Sequence, residues 1–365
     1  MENKPNISLI NPFQPFAPLQ PEMDQAIFRG RADLANRLIL LPLFPEHKTT
    51  LVLSGPMRSG KTSFLNMLPS LLTENCLFIQ LTPNTPYIIP DIYFQTIVEQ
   101  AREQIKARYH LILPSLPSDH NPYQAGLRWL DGLNHRGNEL QIVLLLDDFE
   151  KLPDLFVGGR FAFLDFLALL QKVVTQFENI HLLLSSEYTL EEMIETELAW
   201  LEYLPKFRQL YLELLSPVTA KNLLQQPVIT FPEQLIDASF AESIAVKTGG
   251  HPYLLQLFGY VIVEFLNEQQ QNYISPKDKI IMTERVLEMA TPFFQQIMQK
   301  YTAFHTPLMQ MAKNEIITTE FTAMQQRYLK RHWLLNEKNK LAIPLLQQWL
   351  IKNQSTNELT RLPTV

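Results

Sequence analysis

Residues 51–63 read Leu-Val-Leu-Ser-Gly-Pro-Met-Arg-Ser-Gly-Lys-Thr-Ser and contain the pattern G-x-x-x-x-G-K-[ST] between Gly55 and Thr62. Glycine at both ends of the loop lets the backbone curve closely enough for consecutive N–H groups to point at phosphate oxygens. Lys61 can reach the β- and γ-phosphates, and the Thr62 hydroxyl can ligate Mg²⁺. A helix that starts near Gly60 adds its positive N-terminal end. The pattern therefore predicts a site for a nucleoside triphosphate, ATP.

Composition argues against a chance match. The chain has 11 glycines in 365 residues, against a usual ~7%, so about 0.002 copies of the pattern are expected by chance. An apolar run at residues 50–53 precedes the loop, and residues 63–72 carry apolar side chains at helical spacing, as a strand, loop and helix require. We expect the nucleotide to contact the whole loop, whose residues are Gly55, Pro56, Met57, Arg58, Ser59, Gly60, Lys61, Thr62 and Ser63.

A second part of the nucleotide site is predicted at the end of a buried strand. Residues 141–146 form a β-rich apolar run of the kind found in a parallel sheet, and Asp147 and Asp148 follow directly. Hydrolysis of a triphosphate needs one carboxylate for the Mg²⁺ shell and another to activate water. We assign Asp147 to the metal and Asp148 to the base, with Glu150 as a rival base. The alternative is a strand end capped by acidic side chains in solvent.

Two serines end the next apolar strand, which is predicted at residues 180–184. Ser185 or Ser186 can orient the γ-phosphate or the attacking water by hydrogen bonding. A solvated strand end is the alternative interpretation. With Lys61 and Asp148, these serines complete the predicted catalytic set.

Strands alternate with helices through the first 215 residues, which predicts an α/β fold with a parallel sheet. The predicted strands are at residues 50–53, 77–81, 141–146, 180–184 and 210–215. The predicted helices are at residues 31–43, 63–72, 92–113, 123–133, 161–177 and 190–204. Before them runs an arm rich in proline, which we expect to lie extended over another surface.

The strands stop at residue 216. Three helices are predicted at residues 217–224, 231–248 and 251–269, with Gly249-Gly250 as a break. Further helices at residues 283–301, 306–313 and 319–332 precede a hairpin around residues 336–339, an order typical of a winged helix. The predicted domains are therefore a P-loop domain at 1–215, a helical lid at 216–274, a winged helix at 275–353 and a tail at 354–365.

Charge and residue composition exclude several classes of protein. The net charge is −6, yet residues 275–352 carry eleven Lys and Arg against six Asp and Glu, so the C-terminal part can have a partner of its own. Cys76 is the single cysteine, the eight histidines have no zinc-ligand spacing, and no apolar run approaches the ~18 residues of a membrane span. No apolar signal region follows the first methionine. We therefore expect a cytoplasmic ATPase without a membrane partner.

These motifs together resemble a known family, the AAA-like signal-transduction ATPases with numerous domains. The nearest branch is the archaeal-type ATPases, which are related to origin-recognition initiators. The resemblance covers residues 11–349 and depends on the phosphate loop, Leu-Leu-Leu-Asp-Asp at 144–148, Phe-Arg-Gly-Arg at 28–31 and Thr-Gly-Gly-His-Pro-Tyr-Leu-Leu-Gln at 248–256. It implies a five-stranded nucleotide domain, a small helical lid and a winged helix, with ATP in the cleft between them.

The resemblance also implies roles for single residues. Phe28, Gly30 and Arg31 are placed on the adenine side, and His251 with Pro252 faces the nucleotide from the lid. An ordinary helix cap is the alternative for His251. The family usually has Asp-Glu where this chain has Asp147-Asp148, and aspartate is shorter by one C–C bond, ~1.5 Å. Because a misplacement of ~1 Å can cost ~10²-fold in rate, slow hydrolysis is expected.

Three functions remain open at this point. The first is an ATP-operated switch that moves the lid and winged helix and acts through a protein partner or self-association. The second is an initiator-like ATPase that binds DNA through a basic helix and wing. Its candidate residues are Arg327, Lys330, Arg331, His332, Lys338 and Lys340. The third is a nucleotide-bound scaffold without turnover.

Overall fold

The structure is a computed structural model that describes residues 9–40, 50–72, 76–82, 87–136, 141–196, 199–203, 207–233, 235–316 and 320–353. The chain divides into two compact units. The sheet unit comprises Arg31–Met57 and Lys61–Leu212, and the helical unit comprises Met1–Gly30, Arg58–Gly60 and Glu213–Val365. In the described part of the chain, no helix is long and apolar enough to cross a membrane.

The strands are β1 (Thr50–Ser54), β2 (Cys76–Gln80), β3 (Gln141–Leu146), β4 (Ile180–Ser186) and β5 (Phe207–Tyr211). The helices are α1 (Pro21–Asp24), α2 (Ala32–Leu40), α3 (Lys61–Leu71), α4 (Pro90–Tyr109), α5 (Pro122–Arg136), α6 (Leu152–Leu155), α7 (Gly159–Gln176), α8 (Leu190–Thr196), α9 (Ala199–Tyr203), α10 (Pro217–Gln225), α11 (Ala238–Thr248), α12 (Pro252–Gln269), α13 (Pro276–Met289), α14 (Thr291–Lys300), α15 (His305–Ala312), α16 (Ala323–Arg331) and α17 (Pro344–Asn353). Short 3₁₀ turns occur at Phe149–Lys151 and Thr302–Phe304.

The five strands form one parallel sheet in the order β2-β3-β4-β1-β5. Every residue of β1 is buried, and β3 is buried from its second residue onward, because helices cover both faces of a parallel sheet. Parallel strands end at the same edge, so β1, β3 and β4 bring their carboxyl ends together. This edge carries the phosphate loop and the polar residues that follow β3 and β4.

The predicted α/β fold with a parallel five-stranded sheet is confirmed in this unit. β1 to β4 occupy the predicted positions within two residues, whereas β5 is Phe207–Tyr211 and not residues 210–215. β5 lies at the edge of the sheet, where Leu210 is buried and Tyr211 is exposed, so an alternating pattern suffices in place of an apolar run. Leu212 lies just past the strand, and its N–H donates to the Ser54 carbonyl at 2.8 Å.

Several predicted helices end elsewhere, each for a local reason. The helix predicted at 92–113 ends at Tyr109, because His110 adopts a left-handed φ of 56°. The helix predicted at 283–301 is two helices, α13 and α14, with Pro292 in the first turn of the second. The helix predicted at 231–248 begins at Ala238, since Asp237 caps it by accepting a bond from the Phe240 N–H. The predicted end of the helix at 31–43 and the predicted tail at 354–365 lie outside the described residues.

In the helical unit, the N-terminal arm lies along α12. The Leu9 N–H donates to Asn267 Oδ1 at 2.7 Å, and Asn267 Nδ2 donates to the Leu9 carbonyl at 2.9 Å. The Asn11 side-chain amide donates to Glu264 Oε1 at 2.8 Å. Phe13 is 1% exposed and packs so closely on Gly259 that a Cβ there would be 2.4 Å from its ring. Residues 9–13 of the arm therefore lie along another surface, as predicted, whereas residues 21–24 form the short helix α1.

Residues 275–316 and 320–353 are helical apart from a short hairpin. Ser275 and Thr322 form capping boxes at the starts of α13 and α16. Leu335 and Leu341 form an isolated antiparallel bridge, closed by a bond of 2.8 Å from the Asn336 N–H to the Lys340 carbonyl. Helices followed by a hairpin are the order expected for a winged helix, and α17 follows them.

Candidate functional site

The phosphate loop begins where β1 ends and is bonded to the end of β4. The Gly55 N–H donates to the Ser186 carbonyl at 3.2 Å, and the Met57 N–H donates to Glu187 Oε1 at 3.2 Å. Gly60 has a φ of 91°, a conformation that L side chains rarely adopt, although a Cβ there would meet nothing within 4 Å. Backbone conformation, and not crowding, therefore requires glycine at position 60.

Lys61 is the first residue of α3 and is 7% exposed. Its Nζ donates to the carbonyl oxygens of Gly55 at 2.9 Å and Pro56 at 3.4 Å. The ammonium therefore lies inside the curve of the loop. A buried cation that is bonded to neutral carbonyls is well placed to exchange them for a phosphate, because a charged acceptor gives the stronger bond.

Three loop residues, Arg58, Ser59 and Gly60, belong to the helical unit. Arg58 has a φ of 58°, and its guanidinium lies 4.6 Å from the centre of the Tyr253 ring on α12. It also donates to the Pro15 carbonyl at 3.4 Å. The Ser59 hydroxyl is buried and has no hydrogen-bond partner among the described residues. The loop thus carries a contact to α12 and a buried polar group that a ligand can satisfy.

Asp147, which follows β3, is 7% exposed and is bonded to Thr62, the other predicted metal ligand. Its Oδ2 accepts a bond of 2.5 Å from the Thr62 hydroxyl, and its Oδ1 accepts one from the Ser185 hydroxyl. Its N–H donates to Thr82 Oγ1 at 2.6 Å. Carboxylate and hydroxyl oxygens are the donors that Mg²⁺ prefers, so this donor set fits that ion.

Asp148 has a different environment from that of Asp147. Its backbone is left-handed, with a φ of 50°, and its carboxylate pairs with Lys151 Nζ at 2.5 Å. The Asp148 side chain is 44% exposed. The structure thus brings Asp147 to Thr62 and leaves the predicted base in a surface ion pair.

Glu150 is turned toward the end of β4. Its Oε1 accepts a bond of 3.0 Å from the Glu187 N–H, and its Oε2 is buried without a hydrogen-bond partner in the described part of the structure. Burial raises the pKa of Glu150 above its ordinary value, and the negative charge of Asp148 adds to this. Backbone N–H groups and the positive charge of Lys61 oppose the increase in pKa.

The two serines of β4 differ in their partners. Ser185 is fully buried and donates to Asp147. The Ser186 hydroxyl instead accepts a bond of 3.0 Å from the Tyr188 N–H and contacts Met193 Sδ at 3.3 Å. Ser185 therefore belongs to the group around Asp147, whereas Ser186 closes the turn after β4.

Sequence reasoning missed Thr82 and Glu187, which bond to Asp147 and to the phosphate loop. The sequence could have predicted both, because each is a polar residue that follows the apolar part of a predicted strand. Parallel strands bring such residues to one edge of the sheet.

The Phe-Arg-Gly-Arg element spans the end of one unit and the start of the other. In the helical unit, Phe28 is half-buried, and Gly30 has a φ of 76° with its Cα so close to Thr219 that a Cβ would be 2.8 Å from Cγ2. In the sheet unit, Arg31 is 9% exposed, and its carbonyl accepts a bond of 3.0 Å from the Ala35 N–H at the start of α2. Gly30 is thus required by both conformation and close packing.

His251 precedes α12 and makes no side-chain cap, so the helix-cap interpretation does not describe it. It is 2% exposed, and its ring centre lies 5.2 Å from that of Phe293 and 5.3 Å from that of Trp333. Pro252 occupies the first turn, where its missing N–H costs no bond. His251 is therefore held by aromatic side chains of the helical unit.

The predicted DNA-contacting residues divide by exposure. Arg327 on α16 and Lys338 and Lys340 in the hairpin are exposed. Lys330 pairs with Glu337 at 3.4 Å, and His332 is buried with its ring 4.5 Å from that of Tyr328. His332 therefore belongs to the packed interior and not to a basic surface.

No protein-family model matches the chain, and no curated protein matches it. Solved structures do. The Walker-type ATPase PABY2304 of Pyrococcus abyssi superposes with a TM-score of 0.64 at 16% identity, over 92% of this chain and 99% of that one. Cdc6p from Pyrobaculum aerophilum gives 0.50 at 13% identity, over 94% and 86%. The ORC2 protein of Aeropyrum pernix gives 0.50 at 11% identity, over 93% and 96%. The chain therefore has the fold of these P-loop proteins.

Proposed function

On this fold, we propose that the chain binds ATP with Mg²⁺ at residues 55–63 and hydrolyses it slowly, as a molecular switch. The observation that carries the proposal is the convergence of Lys61, Thr62 and Asp147 at the carboxyl edge of the sheet. Lys61 lies inside the phosphate loop, and the Thr62 hydroxyl is bonded to Asp147 at 2.5 Å. These are the residue types that phosphoryl transfer needs.

Thr62 and Asp147 are the residues that would hold Mg²⁺. When bound, that ion neutralises phosphate charge and withdraws electrons from the phosphoryl oxygens. Ser185 fixes the orientation of the Asp147 carboxylate by donating to it, and Thr82 accepts the Asp147 N–H. The chain thus positions the metal-binding carboxylate from two neighbouring strands.

Lys61 and the loop N–H groups bind the triphosphate, and a carboxylate after β3 takes the proton of the attacking water. Asp148 and Glu150 are both candidates for that base. Slow turnover suits a switch whose ATP-bound state must persist. The remaining assignments are part of the same proposal: Phe28, Gly30 and Arg31 on the adenine side, and His251 with Pro252 facing the nucleotide.

The switch requires that the phosphate loop communicate with the helices that follow it. Arg58, a loop residue of the helical unit, contacts the Tyr253 ring and donates to the Pro15 carbonyl within that unit. Tyr253 lies two residues after His251, at the start of α12. We propose that residues 216–274 act as a lid and 275–353 as a winged helix that engages a protein partner or another copy of the chain, as in signal-transduction ATPases.

Isothermal calorimetry with Lys61 variants tests the nucleotide site. A charge-assisted bond is worth about 1.5–3 kcal/mol, so Lys61→Ala should weaken ATP·Mg²⁺ binding by about 10- to 150-fold. Lys61→Met keeps most of the buried stem and should show the same loss. Lys277→Ala, on the exposed surface of α13, is the matched control. Unchanged affinity in both Lys61 variants would refute the proposed function.

A second candidate function is DNA binding by an initiator-like ATPase. It is favoured by the likeness to Cdc6p and the ORC2 protein, and by the exposure of Arg327, Lys338 and Lys340 on α16 and the hairpin. Measuring ATP hydrolysis with and without duplex DNA separates the two functions, since DNA should change the rate only for the second. A nucleotide-bound scaffold would show binding and no turnover under either condition.

A further inference from the structure

We propose that Glu150, and not Asp148, is the general base that takes the proton from the attacking water, an inference that rests on the proposed ATPase activity. Hydrolysis of ATP requires a carboxylate oxygen that lies beside the phosphate loop and can bind a water molecule. The contacts of the two carboxylates after β3 differ in this respect.

The turn after β3 determines where each side chain goes. Phe149 is fully buried, with its ring centre 4.3 Å from that of Trp200, so the 3₁₀ turn Phe149–Lys151 is anchored in the core. Asp148, before the anchor, is in a left-handed conformation with its side chain in solvent. Glu150, after the anchor, bonds to the N–H that follows β4. The spacing Asp-Asp-Phe-Glu therefore exposes the second carboxylate and places the third beside the nucleotide loop.

Two hydrogen bonds join Glu150 to the phosphate loop. The Glu187 N–H donates to Glu150 Oε1 at 3.0 Å, and Glu187 Oε1 accepts the Met57 N–H at 3.2 Å. Lys61 is also close enough for its charge to act on Glu150. The Glu150 carboxylate is therefore held within the group of residues that surrounds the loop.

The other oxygen of Glu150 is available for a ligand. Oε2 is buried and has no hydrogen-bond partner among the described residues. A buried carboxylate oxygen without a partner costs free energy, and such atoms in native proteins are usually bonded to water or a ligand. A water molecule bound there would donate a hydrogen bond to Oε2.

Asp148 lacks both properties. Lys151 Nζ lies 2.5 Å from Asp148 Oδ2, and the Asp148 side chain is 44% exposed. The Asp148 carboxylate is therefore engaged by a cation, whereas Glu150 Oε2 has no hydrogen-bond partner among the described residues. The raised pKa of Glu150 agrees with its assignment as base, since general bases work best with a pKa closer to the operating pH.

In the proposed step, the water oxygen attacks the γ-phosphorus while the bond from that phosphorus to the bridging oxygen breaks. The electron pair of the broken bond stays on ADP. One proton of the water passes to Glu150 Oε2, and inorganic phosphate leaves. Water and ATP are the only reactants.

Single-turnover hydrolysis of ATP·Mg²⁺ at saturating protein tests the inference. Loss of a general base costs about 10²–10⁴-fold, so Glu150→Gln should slow the chemical step by at least about 100-fold. Its ATP affinity, measured by calorimetry, should stay within about twofold, because the amide oxygen can still accept the Glu187 N–H. Glu103→Gln, on the exposed surface of α4, is the matched control and should keep the native rate.

Two further variants keep the test decisive. Asp148→Asn should lose far less activity than Glu150→Gln. Its hydrolysis rate should exceed that of Glu150→Gln by at least about 30-fold, which is within the range that one base contributes. Glu150→Asp retains the carboxylate but withdraws it by ~1.5 Å, so it should hydrolyse faster than Glu150→Gln and more slowly than the native chain. Thermal melting controls for folding: Glu150→Gln should melt no lower than the native chain, since a neutral amide carries no burial penalty for charge.

The outcomes separate the inference from the proposed function. If ATP is bound and hydrolysed and Glu150→Gln keeps the native rate, or if Asp148→Asn suffers the larger loss, Glu150 is not the base. If ATP binds in a Lys61-dependent way without any turnover, nucleotide binding stands and both hydrolysis and this inference fail. If Lys61→Ala and the native chain bind ATP equally, the proposed site itself is wrong.

Discussion

Replacing Gly250 with alanine tests the packing of the Gly-Gly break before His251. Gly250 has a φ of 78°, and a Cβ there would lie 2.2 Å from the Leu215 carbonyl oxygen. The Gly250 carbonyl accepts the Leu215 N–H at 2.9 Å, so the two backbones are bonded as well as in contact. A methyl group must push the segments apart, and that movement breaks the bond.

The magnitude follows from three terms. The left-handed conformation costs a non-glycine residue about 1–2 kcal/mol. Overpacking costs about 1–3 kcal/mol, and the lost backbone bond about 0.5–1.5 kcal/mol. Gly250→Ala should therefore destabilise the fold by about 3–6 kcal/mol, a large part of the ~5–15 kcal/mol typical of a folded protein. At ~2–4 °C per kcal/mol, the melting temperature should fall by about 6–24 °C.

Differential scanning calorimetry of the unliganded chain measures this shift. Gly132→Ala is the matched control, because Gly132 lies in α5 and a Cβ there would meet nothing within 4 Å. That change should stabilise the chain by about 0.5–1 kcal/mol through the helix preference of alanine. If Gly250→Ala melts within about 2 °C of the native chain, the close approach of Gly250 and Leu215 is not a property of the molecule.

Two further predictions concern the helical unit. The Lys279 ammonium, 2.7 Å away, lowers the pKa of Asp237 to about 2 from 3.8, with help from the Ser239 hydroxyl. The folded pKa is the lower one, so the stability that Asp237 contributes is present above pH 3.8 and is lost as the pH falls through 2. Urea titrations should show the free-energy difference between the native chain and Asp237→Asn shrinking over that window, by less than about 1 kcal/mol because the pair is partly exposed; a constant difference would exclude the ion pair as its source. If DNA is bound, Arg327→Ala and Lys338→Ala should each reduce the slope of log K on log salt by about 0.9, whereas Lys277→Ala should leave it unchanged. Native slopes in the first two variants would exclude this surface as the DNA contact.

The central strands were predictable because their signal is local. β3 occupies the predicted residues 141–146, since a strand buried on both faces must be apolar throughout. The phosphate loop was predictable for a similar reason, because its pattern is contiguous in the sequence. The predicted position of β5 was wrong because an edge strand needs only alternate residues to be buried. The apolar residues Leu212 and Leu215 lie in the connection after the strand.

The site could be predicted only to the level of single segments. That Asp147 contacts Thr62 followed from the strand ends meeting at one edge. The environments of Asp148 and Glu150 did not follow, because they depend on how Phe149 packs against Trp200, a contact between distant parts of the chain. The aromatic surroundings of His251 come likewise from Phe293 and Trp333, which periodicity alone cannot bring together.

The strand order has a consequence for how the protein is made. β1, which leads into the phosphate loop, pairs only with strands that are synthesised much later: Leu51 aligns with Leu183 in β4 and with Arg208 in β5. At ~5–20 residues per second, the ribosome needs about 8–30 s between the end of β1 and the end of β5. Throughout that time the nascent chain carries an apolar strand without its neighbours, and the loop lacks the Ser186 and Glu187 acceptors that support it. The hydrogen bonds that support the phosphate loop can therefore form only after β4 and Glu187 have been synthesised.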